Sequence, residues 1–175
     1  RHGVVLRGPD APDLLRNNEQ MVRRLCESFI DNLATLHTLD YNATGLGDLG
    51  RPEGYVERQV TGWAGRYDNA RTDDHPEMEE LSTWLLANQP ADGTPALIHN
   101  DYKYDNLMLD AQEMTRIVAV LDWEMATIGD PLMDLGTTLA YWIEPSDPEE
   151  LHFRAFGPTM LPGSMSREEL VSRYF

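Results

Sequence analysis

Apolar residues recur at helical spacing in three places along the chain. From about Asn18 to His37 they fall at Val22, Leu25, Cys26, Phe29, Ile30, Leu33 and Leu36, a stripe wide enough to bury one helix face. A second helix is expected after Pro52, with the stripe Val56, Val60, Trp63 and Tyr67, and a third between Pro76 and Pro90 carrying Met78, Leu81, Trp84 and Leu85. The pattern then changes period. Short apolar runs begin at Leu97, at Leu107 to Leu109 and at Ile117 to Leu121, which predicts a strand, a polar loop and a β-hairpin. A fourth helix should start at Pro131 and run from Leu132 to Trp142, apolar nearly all round and therefore buried. Ser166 and Glu169 make a capping box for a last helix. Gly3 to Leu6 reads as a short strand, and Arg7 to Asp13 as a turn-rich connector.

Length and composition narrow the class. The 175 residues suit one domain, and 41% hydrophobic with 25% charged residues is ordinary globular composition. A net charge of -16 argues against nucleic acid or an anionic membrane as partner, because both select a basic face. No apolar run reaches the length of a bilayer span, and no signal segment opens the chain. One cysteine, Cys26, excludes an intrachain disulfide, reads as core and fits a cytoplasmic location. The glycine-rich Gly45-Leu-Gly-Asp-Leu-Gly50 could cradle phosphate, but no strand leads in and no Gly-Lys-Ser/Thr follows, so it reads as a structural loop.

The candidate chemistry lies between Leu97 and Glu124. His99, Asp101, Lys103, Asp105 and Asn106 share one loop, and Asp122 and Glu124 close the hairpin. A phosphoryl group moving to a hydroxyl needs an aligned acceptor, a place for its proton and cations on the phosphates. Magnesium takes hard oxygen ligands and keeps several waters, so an amide and a carboxylate are a sufficient protein share. His99-x-Asp101-x-x-x-x-Asn106 has the catalytic-loop spacing of protein kinases. Asp101 is thus the expected base or orienting carboxylate, Asn106 and Asp122 the metal and nucleotide ligands, and Lys103 an assistant or a solvated lysine. His99 is expected to hold the loop, and Asp105 to be structural. Trp123, Tyr141 and Trp142 are expected in the core. Asp130 is expected to cap the helix at Pro131.

HNDYKYDNLMLD followed by VAVLDWEMATIGDPLMDLG resembles the aminoglycoside phosphotransferase and choline kinase family, and GLGDLGRPEGYVERQVTGWAGRYDNAR resembles its branch associated with acyl-CoA dehydrogenases. The resemblance implies a protein-kinase-like fold, here an α+β, mostly helical C-terminal lobe over residues 1–175. Residues 1–10 would follow the inter-lobe hinge, and 97–124 would carry the catalytic loop and metal-binding hairpin. It also implies ATP as donor, Mg2+, a small-molecule hydroxyl as acceptor, Glu124 as a further metal ligand, and Asp134 as an acceptor of backbone N–H groups from the loop. No N-terminal-lobe sheet or lysine is visible, so most of that lobe is expected to be missing and this chain alone to bind ATP poorly. The acceptor that the resemblance implies is a hydroxyacyl thioester-type metabolite or an aminoglycoside-like compound. The rival classes are a pseudokinase-like binding module and a metal-dependent hydrolase. The hydrolase is disfavoured because His2, His37, His75, His99 and His152 form no ligand pair at helical spacing.

Overall fold

The computed structural model describes residues 2–7 and 12–175. Residues 8–11 of the expected connector and Arg1 lie outside the described residues. A short helix, α1 (Asp13–Arg16), precedes α2 (Glu19–His37), whose first turn is capped by the Asn18 side chain accepting from the Met21 N–H at 3.0 Å. Helix α2 buries Val22, Leu25, Cys26, Phe29, Ile30 and Leu33 as expected, while Leu36 is only half-buried. Each fully buried side chain of this kind contributes about 1.5–3 kcal/mol.

The core forms where α2 meets the loop. Phe29 packs on Tyr102, Tyr104 and Trp142 with ring centroids 4.8, 4.6 and 5.1 Å apart. The buried polar ends are satisfied: the Tyr102 hydroxyl donates to the Phe29 carbonyl at 2.9 Å, and Trp142 Nε1 donates to Met165 O at 2.9 Å. The last helix, α7 (Arg167–Tyr174), carries the expected capping box and packs against α2.

Two small antiparallel sheets replace the single hairpin of the sequence reading. β2 (Leu107–Leu109) pairs with β3 (Ile117–Val120), as predicted. β1 (Ala96–Ile98) instead pairs with β4 (Thr127–Gly129), a strand too short to show alternation in the sequence. The strand expected at Gly3 to Leu6 reduces to one bridge, Val4 to Leu109. These pairings fold the chain between 96 and 129 back on itself and bring the loop beside the hairpin end.

Two of the apolar stripes lie largely uncovered, and the burial expected all round the fourth helix is met only in part. Helix α3 (Tyr55–Ala70) buries only Tyr55 and Val56, and Trp63 is 57% exposed. Helix α4 (Pro76–Ala87) buries nothing. Helix α5 (Pro131–Tyr141) buries Asp134, Leu135 and Thr138 but leaves Leu132 53% exposed. Apolar spacing sets which face a helix offers; a neighbour must be present to cover it. Chain 45–51, the glycine-rich segment, is a turn-built loop. A short α6 (Glu149–His152) interrupts the irregular stretch before α7.

Candidate active site

Asp134 organises the loop. It is fully buried on α5, where Asp130 caps the first turn by accepting from the Leu132 N–H at 2.7 Å. Asp134 Oδ2 accepts the His99 N–H at 2.7 Å and Oδ1 accepts the Asn100 N–H at 2.8 Å, the arrangement expected of it. A third partner was not foreseen. His37 Nε2 lies 3.1 Å from Asp134 Oδ2, and His37 Nδ1 lies 2.6 Å from the Tyr174 hydroxyl. A carboxylate without partners at such a site would be costly; three hydrogen bonds make it a fixed hub. His37 continues the α2 stripe four residues after Leu33, which was the available signal.

His99 is buried with both ring nitrogens engaged. Nε2 donates to the Leu121 carbonyl at 2.8 Å and Nδ1 accepts the Asp101 N–H at 3.3 Å, since each partner admits only that role. It ties the loop to the end of the hairpin. Asn100 adopts the left-handed conformation (φ 63°), takes a hydrogen bond from the Tyr55 hydroxyl at 3.2 Å, and donates to Met125 O at 3.0 Å.

Asp101 follows, in a crowded setting. Lys103 Nζ lies 2.6 Å from Oδ1 and 2.7 Å from Oδ2. Asn106 Nδ2 donates to Asp101 Oδ2 and to its backbone carbonyl, both at 2.8 Å. Tyr141, at the end of α5, stands over Lys103 and interacts with the same carboxylate. Partial burial pushes the Asp101 carboxyl up, but Lys103, Tyr141 and Asn106 together outweigh it and hold it below its ordinary value. The same contact and partial burial push the Tyr141 hydroxyl up to about 12, burial being the larger cause. Tyr141 was expected in the core; it is half-buried at the site. Lys103 stands 4.8 Å from its ring centroid and 5.2 Å from that of Phe156.

Across the hairpin, the Leu121 N–H donates to Asn106 O at 2.8 Å, which sets Asp122 one residue beyond Asn106's cross-strand neighbour. Asp122 is exposed and left-handed (φ 64°), a backbone state costing on the order of 1 kcal/mol and concentrated at functional sites. Because Asn106 spends its amide nitrogen on Asp101, its side-chain oxygen remains for a cation, and Asp122 supplies a carboxylate. This donor chemistry fits a hard divalent ion that keeps water ligands. Among the described residues, no three His, Cys, Asp or Glu side chains gather as a metal cluster. Glu124, in the following 3-10 turn (Trp123–Met125), is exposed. Trp123 is not core: it is 42% exposed, with its ring 5.0 Å from that of His99. Asp105 is half-buried beside Asn106.

Residues 4–165 match the profile of the phosphotransferase enzyme family. Over 150 residues the chain is 41% identical to acyl-CoA dehydrogenase family member 11 of Gallus gallus, covering 83% of this chain and 19% of that protein. It is 33% identical over 173 residues to family member 10 of Mus musculus, covering 98% and 16%. A solved structure from Ralstonia eutropha, provisionally described as an aminoglycoside phosphotransferase, superposes with TM-score 0.85 at 31% identity, covering 99% of this chain and 52% of its own. Aminoglycoside phosphotransferase APH(3'')-Id of Streptomyces rimosus, solved with ADP and streptomycin, shares the fold at TM-score 0.56 and 17% identity, covering 98% and 60%. The chain thus spans under a fifth of these curated relatives and about half of the Ralstonia structure. Among the described residues, no helix is long and apolar enough to cross a membrane. A loop held by Asp134, a carboxylate gripped by lysine and amide, and a match over nearly the whole chain agree: the chain belongs to the phosphotransferase enzyme family.

Proposed function

We propose that this chain carries the catalytic loop of an ATP- and magnesium-dependent kinase acting on a small-molecule alcohol. The observation that carries the reading is Asp101, ionised between Lys103 and Asn106, with the Asp122 carboxylate one step away across the hairpin. Asp101 accepts the acceptor's hydroxyl proton as the new oxygen–phosphorus bond forms and the γ-phosphoryl leaves ADP. Its low pKa suits orienting the hydroxyl and receiving the proton late. Asn106 and Asp122 would hold magnesium, with Glu124 as a further ligand; bound there, the ion supplies positive charge to the phosphates. Lys103 keeps Asp101 ionised and places a cation beside the transferring group. Asp134 and His99 fix the loop.

The acceptor side is apolar. Ala140, Tyr141, Ile143, Leu151, Phe153 and Phe156 line a pocket of about 470 Å³ that also touches Arg154 and contains no carboxylate. A polycationic aminoglycoside would want carboxylates there, so the pocket favours a hydroxyacyl thioester-type acceptor, as does the kinship with acyl-CoA dehydrogenase family members. The test is acceptor-dependent ADP release by the whole protein bearing this chain, across hydroxylated metabolites and aminoglycosides. Asp101→Asn should lower kcat about 10²–10⁴-fold. Turnover that survives this substitution would sink the role of Asp101.

A further inference from the structure

Lys103 is the only lysine of the chain, every other Lys or Arg position being arginine. Arginine presents a broad planar fork, whereas lysine ends in a compact ammonium on a flexible four-carbon stem. The compact head lets Nζ sit against both oxygens of Asp101, at 2.6 and 2.7 Å. The stem does not fix it there, since a lysine samples many rotamers and holding it in one costs entropy. Two rings supply the restraint. Nζ lies 4.8 Å from the ring centroid of Tyr141 and 5.2 Å from that of Phe156, and the two rings meet edge to face, 5.3 Å apart at 78°. An ammonium at these distances is attracted by the electron-rich face of each ring, the more so as water is excluded. The side chains of Lys103 and Asp101 are 18% and 17% exposed. Tyr141 reaches the site on α5, but Phe156 comes from the irregular chain between α6 and α7, and its place is nonetheless fixed. Ala155, Gly157, Pro158 and Thr159 around it are buried. Gly157 is left-handed (φ 72°), and a Cβ there would come within 2.7 Å of the Tyr104 side chain, so only glycine lets the segment press on that core ring.

We propose that Phe156, with Tyr141, forms a two-ring clamp that holds the Lys103 ammonium on the Asp101 carboxylate. Phe156 is a positioning residue acting through Lys103: its ring keeps the cation at the carboxylate, beside the transferring group, instead of letting it swing into solvent. The inference rests on the phosphotransferase reading above.

Phe156→Leu keeps an apolar side chain and removes the ring face; Phe156→Tyr keeps the face. The first readout is acetylation of Lys103 by an N-hydroxysuccinimide ester in the whole protein bearing this chain, followed by mass spectrometry on the peptide that contains it. Labelling should be about three- to tenfold faster in Phe156→Leu than in the unsubstituted protein, with Phe156→Tyr close to the latter. The second readout is turnover with MgATP and the N-acetylcysteamine thioester of 3-hydroxybutanoate as acceptor. Here kcat should fall about three- to thirtyfold in Phe156→Leu, with KM for MgATP within about twofold, and Phe156→Tyr should recover most of the loss. A phenylalanine that only fills space would move neither the labelling of Lys103 nor kcat by itself. Labelling equal in Phe156→Leu and the unsubstituted protein, a measurable kcat left unchanged, or a loss that tyrosine does not recover would each overturn the clamp. Should the leucine variant not fold, Phe156→Met repeats both readouts with the same expected outcomes. If no form turns over but labelling follows the ring, the phosphotransfer reading fails and the clamp stands. Turnover with labelling indifferent to the ring keeps that reading and removes the clamp.

Discussion

The α2–loop–α5 half and the α3–α4 hairpin both carry apolar stripes at helical spacing and end in opposite states. In the first, Phe29, Tyr102, Tyr104 and Trp142 are buried and stacked, and Asp134 is ringed by His37, His99 and Asn100. In the second, Trp63, Leu81 and Trp84 are 57%, 48% and 59% exposed, and the two helices border a groove of about 530 Å³ reaching Met133. The Tyr67 hydroxyl there is buried with no hydrogen-bond partner among the described residues. The difference is one of closure. Where helices converge on a polar loop that must be rigid, packing and hydrogen bonding reinforce each other; the hairpin leaves much of its apolar face uncovered.

That contrast can be broken by substitution. Asp134→Ala should have the largest effect on stability, because two backbone N–H groups and His37 lose a buried acceptor together. A loss of roughly 3–5 kcal/mol in urea unfolding is expected, with activity lost even in conditions where the fold survives. A loss under 1 kcal/mol would show that the hub is not what holds the loop. Cys26 gives a gentler probe of the same half. Burial pushes its thiol up, outweighing weaker opposing contacts from Met165, Ser164, Tyr104 and Arg23. A raised pKa means less thiolate at neutral pH, so a disulfide reagent should react with it far more slowly than with the unfolded chain, the rate rising with pH. Fast labelling of the folded protein at pH 7 would contradict the closed core. At the small end, Trp63→Gln and Trp84→Gln should each change stability by about 0.5 kcal/mol or less. Losses above about 2 kcal/mol would mean that the hairpin is packed in solution.

Much of the site was legible because its chemistry is local. His99, Asp101, Lys103 and Asn106 lie within eight consecutive residues, and a loop that short brings its own side chains together; Asp122 came with the hairpin that follows. Tyr141 and His37 were not legible as site residues. They sit 40 residues after and 62 before the loop's Asp101 and His99, on helices whose apolar spacing reads the same whether a residue faces a core or a pocket. Trp123 misled for a related reason: a tryptophan beside an apolar strand has the composition of core, yet its ring covers His99 from the solvent side.

By itself the sequence determined the helices α2, α5 and α7, the β2–β3 hairpin, and the loop spacing that identifies the chemistry, because periodicity, caps and short-range spacing are properties of neighbouring residues. Only the tertiary structure decided which apolar faces are covered, that β1 pairs with β4, and that His37 and Tyr141 reach Asp134 and Asp101. Those outcomes depend on groups far apart in the chain meeting in the fold, and no local pattern encodes such a meeting.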